Sequence, residues 1–296
     1  MCSPFIGQTH GSAPTMLLDP SAEIASNDRV FSGLETRNIM TVQPGALSVV
    51  IPIHNEMGNI RPLFIEIHQA LSPVLAEWEA IFVDDASSDA SPQELVALLA
   101  EFPQARVIRQ QRCQGQSTAV HLGVQCARFP WVAVLDGDGQ NDPADIPQLI
   151  VAARSYGFPQ LLTEQNKPIL IMGHRKSRQD VWLRRLSSRV ANCVRSYFLQ
   201  DATPDSGCGL KLFSRTAFLK LPYFDHMHRF VPALFKRLGA VIYSVEVNHR
   251  SRQLGISKYG LHNRLWVGLV DLLGVFWLLK RNKQFDWQEI QVNSHD

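Results

Sequence analysis

The chain has 296 residues, 45% hydrophobic and 19% charged, which is ordinary for a globular protein with room for a large core. Its net charge of +2 hides an asymmetry: residues 1–172 carry a net −9 and residues 173–264 a net +12, so the second half is built to meet an anion. Five cysteines (Cys2, Cys113, Cys126, Cys193, Cys208) without a C-x-x-C exclude a zinc finger or disulfide scaffold and point to reduced thiols.

Residues 1–46 are rich in Ser, Thr, Pro, Asn and Gly, without a sustained period or a signal-peptide pattern, and are expected to be a poorly ordered extension. From Leu47 short apolar runs alternate with helical segments. Leu47–Ile53 predicts a strand and Asn59–Leu71 a helix. Ala80–Val83 predicts a strand, followed by a helix over Pro92–Glu101 with Pro at its start. Ala105–Arg109, Gln116–Arg128, Trp131–Leu135 and Pro143–Arg154 continue the alternation. This β-α repetition predicts an α/β fold with a parallel, doubly wound sheet. No G-x-G-x-x-G follows the first strand, which argues against a dinucleotide dehydrogenase.

The second half is less regular. Pro168–Met172, Gly209–Phe213 and Ala240–Val247 predict strands. Asp180–Leu199 predicts an Arg-rich helix, and another is expected around Phe230–Arg237. Leu265–Leu279 is apolar with Asp271 inside it, short for a membrane span of about 20 residues. Trp266, Trp277 and the trailing Lys280, Arg281 and Lys283 suit a helix lying in a membrane interface; a core helix or an oligomer contact are the alternatives.

In a parallel sheet, ligands bind at the carboxyl ends of the strands. Four such ends here are polar. They are His54-Asn55-Glu56, Asp84-Asp85-Ala86-Ser87-Ser88-Asp89, Arg112–Gln116 and Asp136-Gly-Asp-Gly-Gln140. Any one could be a helix cap or polar turn. Together they predict one crevice, where the Asp136/Asp138 oxygens suit a hard divalent cation holding substrate phosphates. The histidines make no H-E-x-x-H, no G-x-S-x-G elbow is present, and the Arg184–Arg195 run lacks a nucleic-acid motif, so no nucleic-acid partner is expected.

Ser48–Glu56, Val83–Asp89 and Leu135–Pro143 resemble the opening, nucleotide-binding turn and D-x-D of glycosyltransferase family 2. Gln140, Gly173-His-Arg175, Asp205–Arg215, His228-Arg229-Phe230 and Arg252–Tyr259 are similar to its dolichyl- or polyprenyl-phosphate sugar synthase branch. The resemblance covers residues 47–260. It implies a GT-A fold, mostly parallel, over residues 47–260; the C-terminal apolar helix and tail, residues 261–296, lie beyond it. It also implies inverting transfer from a GDP- or UDP-linked sugar to a polyprenyl phosphate at the cytoplasmic face of a membrane. A hydroxyl acceptor or a non-catalytic nucleotide-sugar-binding partner are the alternatives.

By the resemblance, Pro52, His54 and Glu56 line the nucleotide pocket, and Val83 and Asp85 contact the base, Asp85 accepting from a ring N–H. Asp136 and Gly137 lie by the ribose and diphosphate. Asp138 and Gln140 hold Mg²⁺ or Mn²⁺, while Arg175, Arg184, Arg252 and Lys258 clamp phosphate. Asp138, Arg175 and Asp205 are expected to be catalytic, Asp205 in a positioning role on a phosphate water or a clamp Arg. The chain departs from the family pattern at His54, where Tyr is usual, and at Gly137 and Gly139, which predict a looser metal loop.

Overall fold

The computed structural model describes residues 45–155, 167–175, 199, 205–251 and 261–281, with backbone alone over 261–267. The expected N-terminal extension, the arginine-rich helix apart from the helical Leu199, and Arg184, Arg252 and Lys258 lie outside the described residues.

Among the described residues, seven strands form one sheet. They are β1 (Leu47–Ile53), β2 (Trp78–Asp84), β3 (Ala105–Arg109), β4 (Trp131–Val134), β5 (Ile169–Arg175), β6 (Lys211–Ser214) and β7 (Val241–Val247). Their order is β3-β2-β1-β4-β6-β5-β7. β1 to β4 pair in parallel, as do β5 and β7. β6 runs antiparallel to both neighbours, which makes the sheet mostly parallel, as expected. The central strands are buried and mostly apolar, interrupted by the buried Ser48, Glu79 and Asp84, because both faces are covered.

Helices α1 (Ile60–Leu71), α2 (Ser91–Glu101) and α4 (Ile146–Ser155) contribute to the core on one face. α3 (Gln116–Cys126), α5 (Arg215–Leu219), α6 (Val231–Arg237) and α7 (Leu261–Lys280) contribute to the core on the other. The expected helix over Pro143–Arg154 opens with a 3-10 turn at Pro143–Asp145, where the Asp142 carboxylate caps the Ala144 N–H at 3.0 Å. α5 and a 3-10 turn at Met227–Arg229 were not anticipated from the sequence.

α3 packs unusually close to the sheet. A Cβ on Gly123 would lie 2.4 Å from Val50 Cγ1 and 3.1 Å from Val83 Cγ2. Alanine would gain about 1 kcal/mol in helix propensity but must push α3 outward or displace Val50. We expect Gly123→Ala to destabilise the fold by about 1–2 kcal/mol and Gly123→Val by more. Thermal unfolding checks this; an unchanged or raised midpoint for Gly123→Ala would show that α3 is not held by close approach.

Candidate functional site

The parallel strands β1, β2 and β4 end along one edge of the sheet, as expected. After β1 the chain turns through Asn55 in the left-handed region (φ 55°), and after β2 through Ala86 (φ 53°). The two loops are then zipped together. Asn55 N–H donates to Ser87 Oγ at 2.9 Å, Glu56 N–H to Ser91 Oγ at 2.9 Å, and Ser88 N–H to Asn55 Oδ1 at 2.7 Å. His54 Nδ1 lies 2.7 Å from the Asp85 carbonyl oxygen. Pro52 lies on β1 just before this turn, and Glu56 accepts from Asn59 Nδ2 at 2.8 Å.

Asp85 is buried, and the loop after β3 wraps its carboxylate. Oδ1 accepts from Gln110 Nε2 (2.8 Å) and Gln114 N (2.7 Å). Oδ2 accepts from Gly115 N (2.7 Å) and the Cys113 thiol (3.2 Å). A base ring N–H reaching Asp85 must therefore replace one of these donors. Val83 is not placed to touch a ligand through its side chain. Strand alternation turns it under α3, where it is wholly buried.

At the end of β4, Asp136 is held by Gln116 Nε2 at 2.8 Å. Its pKa is raised, first by burial and then by the neighbouring Asp138, while Lys211 and Arg175 oppose the rise. Asp138 Oδ1 accepts the Gln140 N–H at 3.1 Å. Gly137 does not loosen this loop. A Cβ there would meet Ile53 Cδ1 at 2.5 Å and the Pro52 carbonyl oxygen at 2.8 Å, so glycine lets the acidic turn press against the end of β1. Gly139 supplies the left-handed turn (φ 71°) that follows. Gly209 is equally constrained, since its Cβ would lie 2.1 Å from Asp136 Oδ2.

β5 and β6 add charge to the same edge. Arg175, the last residue of β5, grips Asp205 in a fork: Nε to Oδ2 is 2.5 Å and Nη2 to Oδ1 is 2.7 Å. Asp205 thus engages Arg175, an arginine that the resemblance expects to clamp phosphate. Because β6 is antiparallel, its first residue, Lys211, pairs with Val134 at the end of β4. Lys211 is buried, and Nζ donates to the Cys208 carbonyl. Burial lowers its pKa, against the opposing influence of Cys208, Asp136 and Asp205.

A cavity of about 1000 Å³ opens beside Asp136. Gln116, Asp136, Lys211, His228 and Arg229 line its polar part, and Phe213, Phe218, Phe230, Leu269 and Leu272 its apolar wall. Burial and the adjacent cations Arg229 and Lys211 push the His228 pKa down to about 3, so it is neutral at physiological pH. Among the described residues, Asp136 alone of the site residues expected from the sequence lines this cavity. Lys211, His228 and Arg229 stood in recognised motifs without an assigned role, and Gln116 stood in the polar segment after β3, also without one.

The model of the family described as glycosyl transferase family 2 matches residues 48–221. The chain belongs to that family. It is 32% identical to the dodecaprenyl-phosphate galacturonate synthase of Rhizobium johnstonii over 81% of this chain and 69% of the relative. It is 31% identical to the undecaprenyl-phosphate 4-deoxy-4-formamido-L-arabinose transferase of Edwardsiella ictaluri, over 73% of this chain and 63% of that protein. Glucosyl-3-phosphoglycerate synthase from Mycobacterium tuberculosis, solved with Mn²⁺, UDP and phosphoglyceric acid, superposes with a TM-score of 0.59 at 18% identity, covering 81% of this chain and 80% of that one. The fold is GT-A, with the mostly parallel α/β sheet described above.

In this family 2 domain the loop after β7 braces the acidic turn. Arg250 N–H donates to the Gln140 carbonyl at 2.9 Å, and its guanidinium pairs with Asp142 and Glu66, each at 2.7 Å. Asn248 N–H donates to the buried Asp145 at 2.7 Å. Asp145 is raised to about 6, chiefly by burial, with Asp142 adding to the rise and Asn248 and Arg250 opposing it. A raised carboxyl stabilises the fold fully below its unfolded value near 3.8, and that contribution is lost as pH climbs through about 6. Asparagine can keep the bond to Asn248 without acquiring charge. Asp145→Asn should therefore flatten the decline in stability between about pH 4 and 6 by on the order of 2–3 kcal/mol. Denaturant unfolding across that range checks this, and parallel curves for the two proteins would refute it.

Proposed function

We propose that this glycosyltransferase moves a sugar from a UDP- or GDP-linked donor to a polyprenyl phosphate, with inversion at the anomeric carbon. The observation that carries this reading is the cavity beside Asp136, which joins buried or half-buried cations, Lys211 and Arg229, to a wall of Phe213, Phe218, Phe230 and Leu272. A phosphate with an apolar chain needs both surfaces. The two relatives, by name, act on dodecaprenyl and undecaprenyl phosphates. The chain spans 69% of the first and 63% of the second.

The reaction asks little of a general base, because an ionised phosphate is already nucleophilic. Both oxygens of Asp205 are taken by Arg175, in keeping with such an acceptor. The larger demand is charge on the departing diphosphate. Arg175 lies at the edge to meet it, with Arg184, Arg252 and Lys258 as further clamps by the resemblance. Asp138 and Gln140 offer only oxygen donors, and the repulsion between Asp138 and Asp136 is what a hard cation would relieve. Bound there, Mg²⁺ or Mn²⁺ would supply Lewis-acid stabilisation of the diphosphate. His54, Glu56 and Asp85 receive the nucleoside once the loop after β3 yields a donor position on Asp85.

Membrane association at the cytoplasmic face is assigned to α7. Leu272 and Val275 are buried in the core, while Leu269, Val270, Leu273 and Trp277 are exposed and Lys280 and Arg281 follow. Among the described residues no helix is long and apolar enough to cross a membrane. An exposed apolar face with trailing cations suits an anionic bilayer surface.

Two outcomes test the reading. A panel of nucleotide sugars with polyprenyl phosphate should yield radiolabelled, organic-extractable product. Asp138→Asn should cut turnover by at least about 100-fold. Product only on a glycan hydroxyl, or nucleotide binding without turnover in Mg²⁺ or Mn²⁺, would replace it. The triple substitution Leu269→Ser, Leu273→Ser, Trp277→Ser should reduce cosedimentation with anionic vesicles at least about tenfold, and unchanged partitioning would place membrane binding elsewhere.

A further inference from the structure

A cluster of different chemical character lies at the nucleoside end of the crevice. One ligand atom each from His54, Asp85 and Cys113 come within 4.8 Å of one another. The end of β1, the end of β2 and the loop after β3 supply them, so the fold itself brings the three together. From these we propose a second metal site, for a thiophilic divalent cation of the zinc class, whose occupancy and that of the nucleotide base are mutually exclusive.

The three groups are set for a metal in different ways. The Asp85 carbonyl can only accept, so the His54 Nδ1 at 2.7 Å donates to it, and Nε2 is the nitrogen that a cation would take. A backbone carbonyl fixing the imidazole tautomer is the usual support of a metal-bound histidine. The Asp85 carboxylate is held in place by Gln110 Nε2, Gln114 N and Gly115 N. Its fourth acceptor position is filled by the Cys113 thiol, 3.2 Å away. A cation that displaces the thiol proton would occupy the gap between Sγ and Oδ2, and the proton leaves to solvent. Tetrahedral bonds of about 2.3 Å to sulfur and about 2.1 Å to oxygen span about 3.6 Å. The observed separation falls short of this by a few tenths of an ångström, and Cys113 is an exposed residue free of helix or strand. Exposure of Cys113 and partial exposure of His54 leave access for a water as fourth ligand.

Ligand softness separates this site from the acidic turn. Thiolate with imidazole selects zinc-class ions, whereas the oxygen set of Asp138 and Gln140 suits Mg²⁺ or Mn²⁺. The metal site stands on the geometry alone. Its exclusion of nucleotide rests on the reading that Asp85 receives the base, because metal and base would claim the same carboxylate.

The test uses the full chain, stripped with chelator and titrated with Co²⁺. We expect one equivalent to produce a thiolate-to-cobalt charge-transfer absorption that Zn²⁺ abolishes and millimolar Mg²⁺ does not. Cys113→Ser, which keeps a hydroxyl donor to Asp85, should lose that absorption, and His54→Gln should weaken Zn²⁺ binding at least about tenfold. No absorption in the unmodified protein, or an absorption that survives Cys113→Ser, overturns the site. Calorimetric titration with UDP and GDP in Mg²⁺ then compares zinc-loaded and zinc-free protein. At least about tenfold weaker binding to the loaded form is expected for competition at one carboxylate. Equal affinities overturn the exclusion, and a zinc-free protein that binds neither nucleotide overturns the donor reading beneath it while the cobalt result stands by itself.

Discussion

One buried carboxylate, Asp136, is the constraint around which the edge of this sheet is arranged. Burial and Asp138 both oppose its ionisation, and the protein answers with Lys211, Arg175 and the Gln116 amide. Two glycines clear the space, Gly137 against the end of β1 and Gly209 against the carboxylate itself. The reversed strand β6 delivers the lysine. Run in parallel like β4, β6 would carry its first residue to the far edge of the sheet; run antiparallel, it places Lys211 beside the last residue of β4. Topology and electrostatics thus meet in one side chain.

The first half of the fold was legible because its signals are local. Apolar runs of strand length, polar strand ends and Pro at a helix start located β1 to β4 and α1 to α4 to within a few residues. The direction of β6 was not legible, because four residues, Lys211–Ser214, carry no mark of which neighbour they will pair with. Lys211, which the reversal delivers, was therefore seen in a motif but given no place. Strand alternation likewise turns the Val83 side chain under α3, a placement that its local sequence does not mark.

The site was legible in kind and less so in state. The acidic pair, Asp85 and Asp205 were singled out as candidates by residue type, position and the resemblance. What the sequence could not reveal is what each touches: Asp85 is wrapped by four donors, and Asp205 is locked in the fork of Arg175. Such engagements depend on loops that pack from distant parts of the chain, as Arg250 does when it reaches back to Glu66 and Asp142.

The single carboxylate of α7 has a consequence of its own. Asp271 faces inward and meets His226 Nδ1 at 3.1 Å, on the segment that leads into the Met227–Arg229 turn at the cavity. With Leu272 and Val275 seated beside it, the helix cannot roll about its axis without pulling a charge away from its partner. Its apolar face therefore keeps a set azimuth relative to the cavity. A bilayer gripping that face would hold the whole enzyme like a keel, with the heading of the cavity decided before any lipid arrives.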